Sequence, residues 1–228
     1  MPSIAIIPAR GGSKRIFRKN IKEFLGRPII AYSIETALTS GLFDEVMVST
    51  EDEEIAMISK GLGANVPFLR SKKNADDYAI LNEVLEEVIE NYKQAGKSFS
   101  MGCCILPTAP LLTVDALREG YQLLNKGDFD SVRPVVKFSY PVQRAILLDD
   151  NGHISMLHPQ NYRSRSQDLA HTYHDAGQFY WFKIPELLTS DKKGAFEISQ
   201  TQVQDIDTLD DWKLAELKYQ LLHNEDKK

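Results

Sequence analysis

Short apolar runs alternate with stretches of helical periodicity from the first residues of this chain. Ile4 to Ile7 is the first run. After a polar loop, Ile30, Ile34, Ala37 and Leu38 fall on one face of a helix that Pro28 opens with its fixed φ and Gly41 ends. Val46 to Ser49 reads as a second strand, a helix follows through Ile55, Met57 and Ile58 and stops at Gly61 to Gly63, and Val66 to Leu69 reads as a third strand. The strongest helical pattern lies in Ile80 to Tyr92, where Leu81, Val84, Leu85, Val88, Ile89 and Tyr92 recur at intervals of three and four before Gly96 closes it. Gly102 to Leu106 reads as a fourth strand, Leu117, Tyr121 and Leu124 mark another helix, and Ser131 to Val136 reads as a fifth strand. This alternation predicts an α/β fold, a mostly parallel sheet flanked by helices.

Beyond Val136 the pattern changes. Residues 137–176 carry Pro141, Pro159 and many polar groups, and Asp149-Asp150-Asn151-Gly152 is a hairpin-turn signal between Ile146 to Leu148 and Ile154 to Leu157. A two-stranded ribbon alone is marginal in water, so it is expected to pack on a second subunit or on the domain body. The chain re-enters the core at Phe179 to Ile184, and Trp212, Ala215, Tyr219 and Leu222 place a terminal helix on the surface, ahead of a charged tail at 225–228. The expectation is one domain over residues 1–228, with 137–173 as a hairpin excursion that makes a homodimer.

Composition narrows the classes. With 43% hydrophobic residues the chain can bury a sizeable core, and 27 basic against 32 acidic residues give a net charge of −5, so neither nucleic acid nor an anionic membrane is an expected partner. No apolar stretch is long enough to span a bilayer, and a cytoplasmic protein is the default. The only cysteines, Cys103 and Cys104, are adjacent within an apolar run and read as buried filler.

Against that acidic background the loop after the first strand is locally basic. Residues 8–20, PARGGSKRIFRKN, hold five cations and two adjacent glycines within thirteen residues, at the carboxyl end of a strand where ligands sit in open α/β sheets. Glycines let backbone N–H groups approach an anion, and Arg and Lys neutralise a polyphosphate. The spacing is not that of a Walker A loop, and the alternative is a solvated basic loop. Near the other end, Asp205 and Asp207 stand at i and i+2. They can converge on one magnesium ion whose remaining ligands are phosphate oxygens, or Asp207 can belong to the N-cap of the last helix.

These motifs carry a resemblance. IIPARGGSKRIFRKN, Arg70 after the third apolar run, LPTAPL at 106–111 and QDIDT at 204–208 resemble the acylneuraminate cytidylyltransferase family, whose members make CMP-activated nonulosonic and related sugar acids. The likeness spans nearly the whole chain. Within the family, Ser164 to Leu169 and Tyr173 to Trp181 are similar to the pseudaminic acid branch. The sialic acid branch typically has an Asn-Gly-Ala-Ile-Tyr type of run where Asp175-Ala176-Gly177-Gln178-Phe179-Tyr180-Trp181 stands, and a glutamine where Leu106 stands.

The resemblance implies a modified Rossmann sheet, the nucleotide-diphospho-sugar transferase fold, with CTP and pseudaminic acid as substrates and Mg2+ as cofactor. The product, CMP-pseudaminic acid, would serve surface or flagellin glycosylation. Carried over by position, Arg10, Gly11, Gly12, Ser13, Lys14 and Lys19 match the loop that holds the triphosphate, and Asn20 and Arg70 match positions near the cytosine and ribose. Lys19, Arg10 and Asp207 are the expected catalytic residues, and Asp205 and Asp207 the expected magnesium ligands. Arg165, Asp175 and Gln178 fall where the family contacts its sugar acid, with Arg165 the partner of the substrate carboxylate, and His174 lies beside them. Phe17 departs from the proline often found in this loop.

The chemistry so implied is in-line attack of the anomeric hydroxyl on the α-phosphorus of CTP, with loss of pyrophosphate. Positive charge must gather on the α-phosphate and the leaving group, and no covalent enzyme intermediate is needed. The alternatives are a sialic acid enzyme, a glycosyltransferase using Asp205-Ile206-Asp207 as its metal motif, and a nucleotide-binding module without turnover.

Overall fold

The computed structural model describes residues 2–76 and 79–224, so the tail at 225–228 lies outside the described residues. In chain order the elements are β1 (Ser3–Pro8), β2 (Glu23–Phe24), β3 (Arg27–Pro28), α1 (Ile30–Ser40), β4 (Glu45–Ser49), α2 (Glu53–Gly61), α3 (Leu81–Gln94), β5 (Met101–Ile105), α4 (Val114–Lys126) and β6 (Ser131–Lys137). They continue with β7 (Ile146–Leu148), β8 (Ile154–Met156), β9 (Tyr173–Asp175), β10 (Phe179–Lys183), β11 (Lys193–Glu197) and α5 (Leu209–Asn224).

One seven-stranded sheet runs β11–β6–β10–β5–β1–β4, with β9 also paired to β6. β1 is parallel to β4 and β5, and β11 is parallel to β6. The exceptions are β10, antiparallel between β5 and β6, and β9, antiparallel to β6. Both faces of β1, β4, β5 and β10 are covered, which is why these strands read as continuous apolar runs. On one face Ala5, Ile7, Val48, Cys103, Ile105 and Trp181 join Ile30 and Ile34 of α1 and Leu117 and Leu124 of α4. On the other, Ile4, Ile6, Met47, Cys104 and Phe182 meet Leu85, Val88 and Tyr92 of α3. Each such large side chain fully buried is worth about 1.5–3 kcal/mol. Cys103 and Cys104 are divided between the two faces, and burial pushes the Cys104 thiol up to about 12, which leaves it protonated filler.

A third, smaller cluster positions the functional region. Ile16 from the basic loop and Ile206 from the acid segment are buried together with Phe24, Ile29, Tyr32, Trp212 and Ala215. The two segments that carry the charged motifs therefore share one apolar floor, although they are 190 positions apart.

Several expectations need correction. Val66 to Leu69 is not a strand: only Asn65 makes a bridge, to Met47, because Pro67 has no N–H to continue a ladder. Pro28 does not open α1. It lies in β3, paired with Glu23, and the helix starts at Ile30. The terminal helix does lie at the surface, but it packs Trp212 and Ala215 into the third cluster. The hairpin forms as expected, with Ile146 opposite Met156 and Leu148 opposite Ile154. Its side chains are exposed, Leu148 at 71% and Ile154 at 68%, and no described residue of the chain covers them. Among the described residues no helix is long and apolar enough to cross a membrane.

Candidate active site

The site forms where β1 ends. Ala9 N donates to Ser49 O at 2.9 Å, the last bond between the β1 and β4 edges, and from Arg10 the chain turns away over the sheet's carboxyl end. Asn20, buried, donates from Nδ2 to Arg10 O at 2.8 Å and so ties the end of the loop to its start. The loop walls a cavity of about 340 Å³. Arg10, Ser13, Lys14, Arg15 and Lys19 line one side of it, and Asn74, Ala79, Leu81, Val84 and Leu106 line the rest with Asn20, Arg70 and Thr108. Five cations, with the carboxylate of Asp76 among them, line this one small concave surface and focus a positive potential on a net-negative protein.

Arg70 is nearly fully buried beneath this cavity. Its Nε donates to Ser49 Oγ at 3.0 Å and an Nη to Ser49 O, and burial lowers its pKa, though a guanidinium stays charged. The glycines are placed differently from the expectation. Gly11 gives its N–H to Glu51 Oε1 at 2.8 Å, and neither Gly11 nor Gly12 lines the cavity.

Lys19 joins the loop to the acid segment. Its Nζ donates to Ile206 O at 2.6 Å and lies 3.7 Å from Asp207 Oδ1, while Arg15 Nη1 lies 2.5 Å from Asp207 Oδ2. Asp207 is not the helix cap. Thr208 Oγ1 accepts from Asp211 N at 3.2 Å and Asp211 Oδ2 accepts from Thr208 N at 2.8 Å, a reciprocal cap that leaves the Asp207 carboxylate facing the cations.

Asp205 turns the other way, into a second cavity of about 480 Å³ that adjoins the first at Leu106. His174, Asp175, Tyr180, Gln204 and Lys218 also line it. The Asp175 carboxylate accepts from Arg133 Nη1 and from Gly177 N, both at 2.8 Å, and the Arg133 guanidinium lies 4.8 Å from the Tyr180 ring centroid.

Two residues assigned to the sugar acid stand elsewhere. Gln178 is buried, and its Nε2 donates to Gln202 O at 2.6 Å, so it holds backbone and lines neither cavity. Arg165 is 73% exposed, pairs with Asp168 at 2.7 Å and lines neither cavity of this chain, because it sits on the excursion.

Three residues of the site were not anticipated. Arg133 sits within the apolar run of β6, where a charge at an alternating position is the only sequence signal. Tyr180 is set apart from Phe179 and Trp181 only by strand alternation, which turns its neighbours into the first core. Lys218, three positions beyond buried Ala215, donates from Nζ to Gln200 O at 3.1 Å, Val203 O at 2.7 Å and Gln204 Oε1 at 3.0 Å, and burial lowers its pKa. Lys19, Gln178 and Lys218 thus grip successive carbonyls of residues 200–206 and hold the segment that presents Asp205 and Asp207.

Comparison with known proteins gives the arrangement a context. The model of the family described as "Cytidylyltransferase" matches residues 4–220. A pseudaminic acid cytidylyltransferase of Campylobacter jejuni subsp. jejuni serotype O:2 is 42% identical over 228 residues, covering 98% of each chain. N-acylneuraminate cytidylyltransferase A of Danio rerio is 33% identical over 93% of this chain and 49% of its own. Among solved structures, CMP:2-keto-3-deoxy-manno-octonic acid synthetase complexed with CTP has a similar fold, with a TM-score of 0.71 at 16% identity, over 98% of this chain and 100% of the other.

Proposed function

The chain belongs to the cytidylyltransferase family, and from that premise we propose that it transfers CMP from CTP to the anomeric hydroxyl of pseudaminic acid, releasing pyrophosphate. The observation that carries this reading is the pair of adjoining cavities, one basic and one mixed, that meet at Leu106 with the acid segment beside the boundary. A triphosphate fits the first, where Arg10, Ser13, Lys14 and Lys19 meet its oxygens. A polar sugar fits the second, and the α-phosphorus then lies between them. Identities of 42, 41 and 37% to relatives named for pseudaminic acid, against 33% to the N-acylneuraminate relative, support the choice of sugar.

The chemistry asked of the side chains is electrostatic. As the anomeric oxygen attacks in line, charge grows on the α-phosphate and on the departing pyrophosphate, and on this reading that charge falls against Lys19, Lys14 and Arg10, which line the first cavity. Lys19 is oriented by Ile206 O and cannot swing away without breaking a 2.6 Å bond. Asp207 and Asp205 are hard oxygen donors of the kind Mg2+ takes, but their carboxylates point apart, Asp205 into the second cavity and Asp207 toward the cations of the first, so Asp207 is the one beside the triphosphate of this reading. Among the described residues no group of three His, Cys, Asp or Glu gathers as a metal site, so phosphate oxygens would have to supply most of the shell. When bound, the ion supplies Lewis-acid charge to the phosphate oxygens. Asp207 is held at the cation edge for it by Arg15 and Lys19.

We assign Arg165 to the second copy's sugar cavity in a homodimer built on the excursion. Arg165 lies outside both cavities of its own chain, and the apolar ribbon beside it is left uncovered. Light scattering at micromolar concentration is expected to give twice the 25.8 kDa chain mass, and a fully active monomer would remove the assignment. The function itself is tested by incubating the protein with CTP, Mg2+ and pseudaminic acid. Equimolar pyrophosphate and a product with the mass of the CMP ester are expected, and pyrophosphate without the ester, or neither, would refute it.

A further inference from the structure

The far side of the basic loop, away from the cavity, rests on the start of α2. Gly11 approaches it so closely that a Cβ built there would stand 2.5 Å from Asp52 Oδ2, so the glycine is required by a carboxylate of the protein itself. Asp52 serves two other groups. Its Oδ1 caps α2 by accepting from Ile55 N at 3.0 Å, and its oxygens accept from Arg18 Nη1 and Nη2 at 2.8 and 2.9 Å. Arg18 Nη2 also donates to Glu54 Oε2 at 2.7 Å. This two-pronged geometry is one that arginine makes and lysine cannot, and it holds the Asp52 carboxyl below its usual range. Arg18 has φ of 50°, in the left-handed region that a non-glycine residue seldom adopts. It lines neither cavity, yet it directly precedes Lys19.

We propose that Arg18 is a positioning residue for the reaction. Its fork on Asp52 and Glu54, together with the seat of Gly11 on Asp52, fastens the triphosphate loop to α2 near both of its ends. That fixes the strained backbone from which Lys19 projects into the cavity. The inference rests on the reading of this cavity as the CTP site.

The test is CTP affinity by titration calorimetry, with kcat and both KM values, for Arg18→Lys, Arg18→Gln, Asp52→Asn and the two double variants that combine Asp52→Asn with a change at Arg18. Arg18→Lys keeps the charge and loses the fork. It is expected to weaken CTP binding about tenfold and lower kcat/KM for CTP by about 10- to 100-fold, measured per folded molecule, leaving KM for the sugar acid close to wild type. Each double variant is expected to be no worse than the worse of its two singles, because both changes break one contact. Gly11→Ala, pushing on Asp52 from the other side, is expected to weaken CTP binding likewise. A role in folding alone would lower the melting temperature and the active fraction while leaving CTP affinity per folded molecule unchanged, and that result overturns the proposal. So does multiplication of the single losses in a double variant. Absence of CTP binding in the wild type would instead remove the functional reading on which the proposal stands.

Discussion

Lys19→Ala is the most informative single change, since this side chain touches both the loop and the acid segment. Truncation removes an ammonium group that bonds Ile206 O at 2.6 Å and sits 3.7 Å from Asp207 Oδ1. A unit charge about 4 Å from a phosphate oxygen is worth roughly 4 kcal/mol at an effective dielectric of about 20. Lys14, Arg15 and Arg10 remain around the cavity and recover part of it. A loss of about 2–4 kcal/mol of transition-state stabilisation follows, or about 30- to 900-fold in turnover. The fold should survive, because Lys19 is partly exposed and contributes no apolar burial to the third cluster that seats the loop. The assay is continuous pyrophosphate release at saturating CTP and sugar acid, with circular dichroism and a melting curve to establish that the variant is folded. Turnover within about threefold of wild type in a folded protein, less than 1 kcal/mol, would refute the reasoning and return Lys19 to a loop anchor.

Other expectations are narrower. Asp207→Asn should raise the Mg2+ concentration needed for half-maximal activity, because a neutral amide oxygen binds a hard cation less strongly, and Asp205→Asn, whose carboxylate faces the second cavity, should raise it less; an unchanged magnesium curve would make that carboxylate structural. Asp52→Asn should lower the melting temperature near neutral pH through loss of the charged fork to Arg18. The Asp52 carboxyl is lowered in the folded state, so its contribution is complete above the ordinary value of about 3.9 and fades as pH falls below it toward the folded value. The gap between wild type and variant should therefore narrow as pH falls below about 4, and a gap that stays constant there would mean the carboxylate's charge is not what stabilises.

Most of the sheet was legible because its strands are buried on both faces, so β1, β4, β5 and β10 appear as apolar runs whatever their order. The failures have physical causes. Val66 to Leu69 is as apolar as a strand, but Pro67 cannot donate to a ladder, and Arg70 N turns instead to Thr50 O at 2.9 Å. β2 and β3, two residues each, are too short to show a period, and β11 hides its inward positions behind Gly194. The basic loop and the acid segment were legible as charge against an acidic background. What could not be read is which way each group faces. Gln178 looked like a sugar contact because it sits amid the segment that carries the family likeness, yet the chain turns its amide onto Gln202 O. Asp205 and Asp207 looked like one pair, and the shared floor of Ile206 sends their carboxylates in different directions.

The central claim is that this site is built for pseudaminic acid. Pseudaminic and sialic acids share a carboxylate, so the group that meets it serves affinity and leaves discrimination to the second cavity. There the Asp175 carboxylate is already held by Arg133 and Gly177, and Leu106 presents an apolar wall. The sugars differ in stereochemistry and in an acylamino group that replaces a hydroxyl. Polar groups left unpaired by the wrong sugar reject it strongly, whereas one methyl-sized contact contributes only about 1–3 kcal/mol. The direct measurement is kcat/KM for the two acids with the wild-type protein, CTP and Mg2+, followed by pyrophosphate release. The account predicts at least a roughly hundredfold preference for pseudaminic acid, the ratio given by about 3 kcal/mol. Comparable values for the two acids would contradict it and make the protein a sialic acid or broad-specificity enzyme.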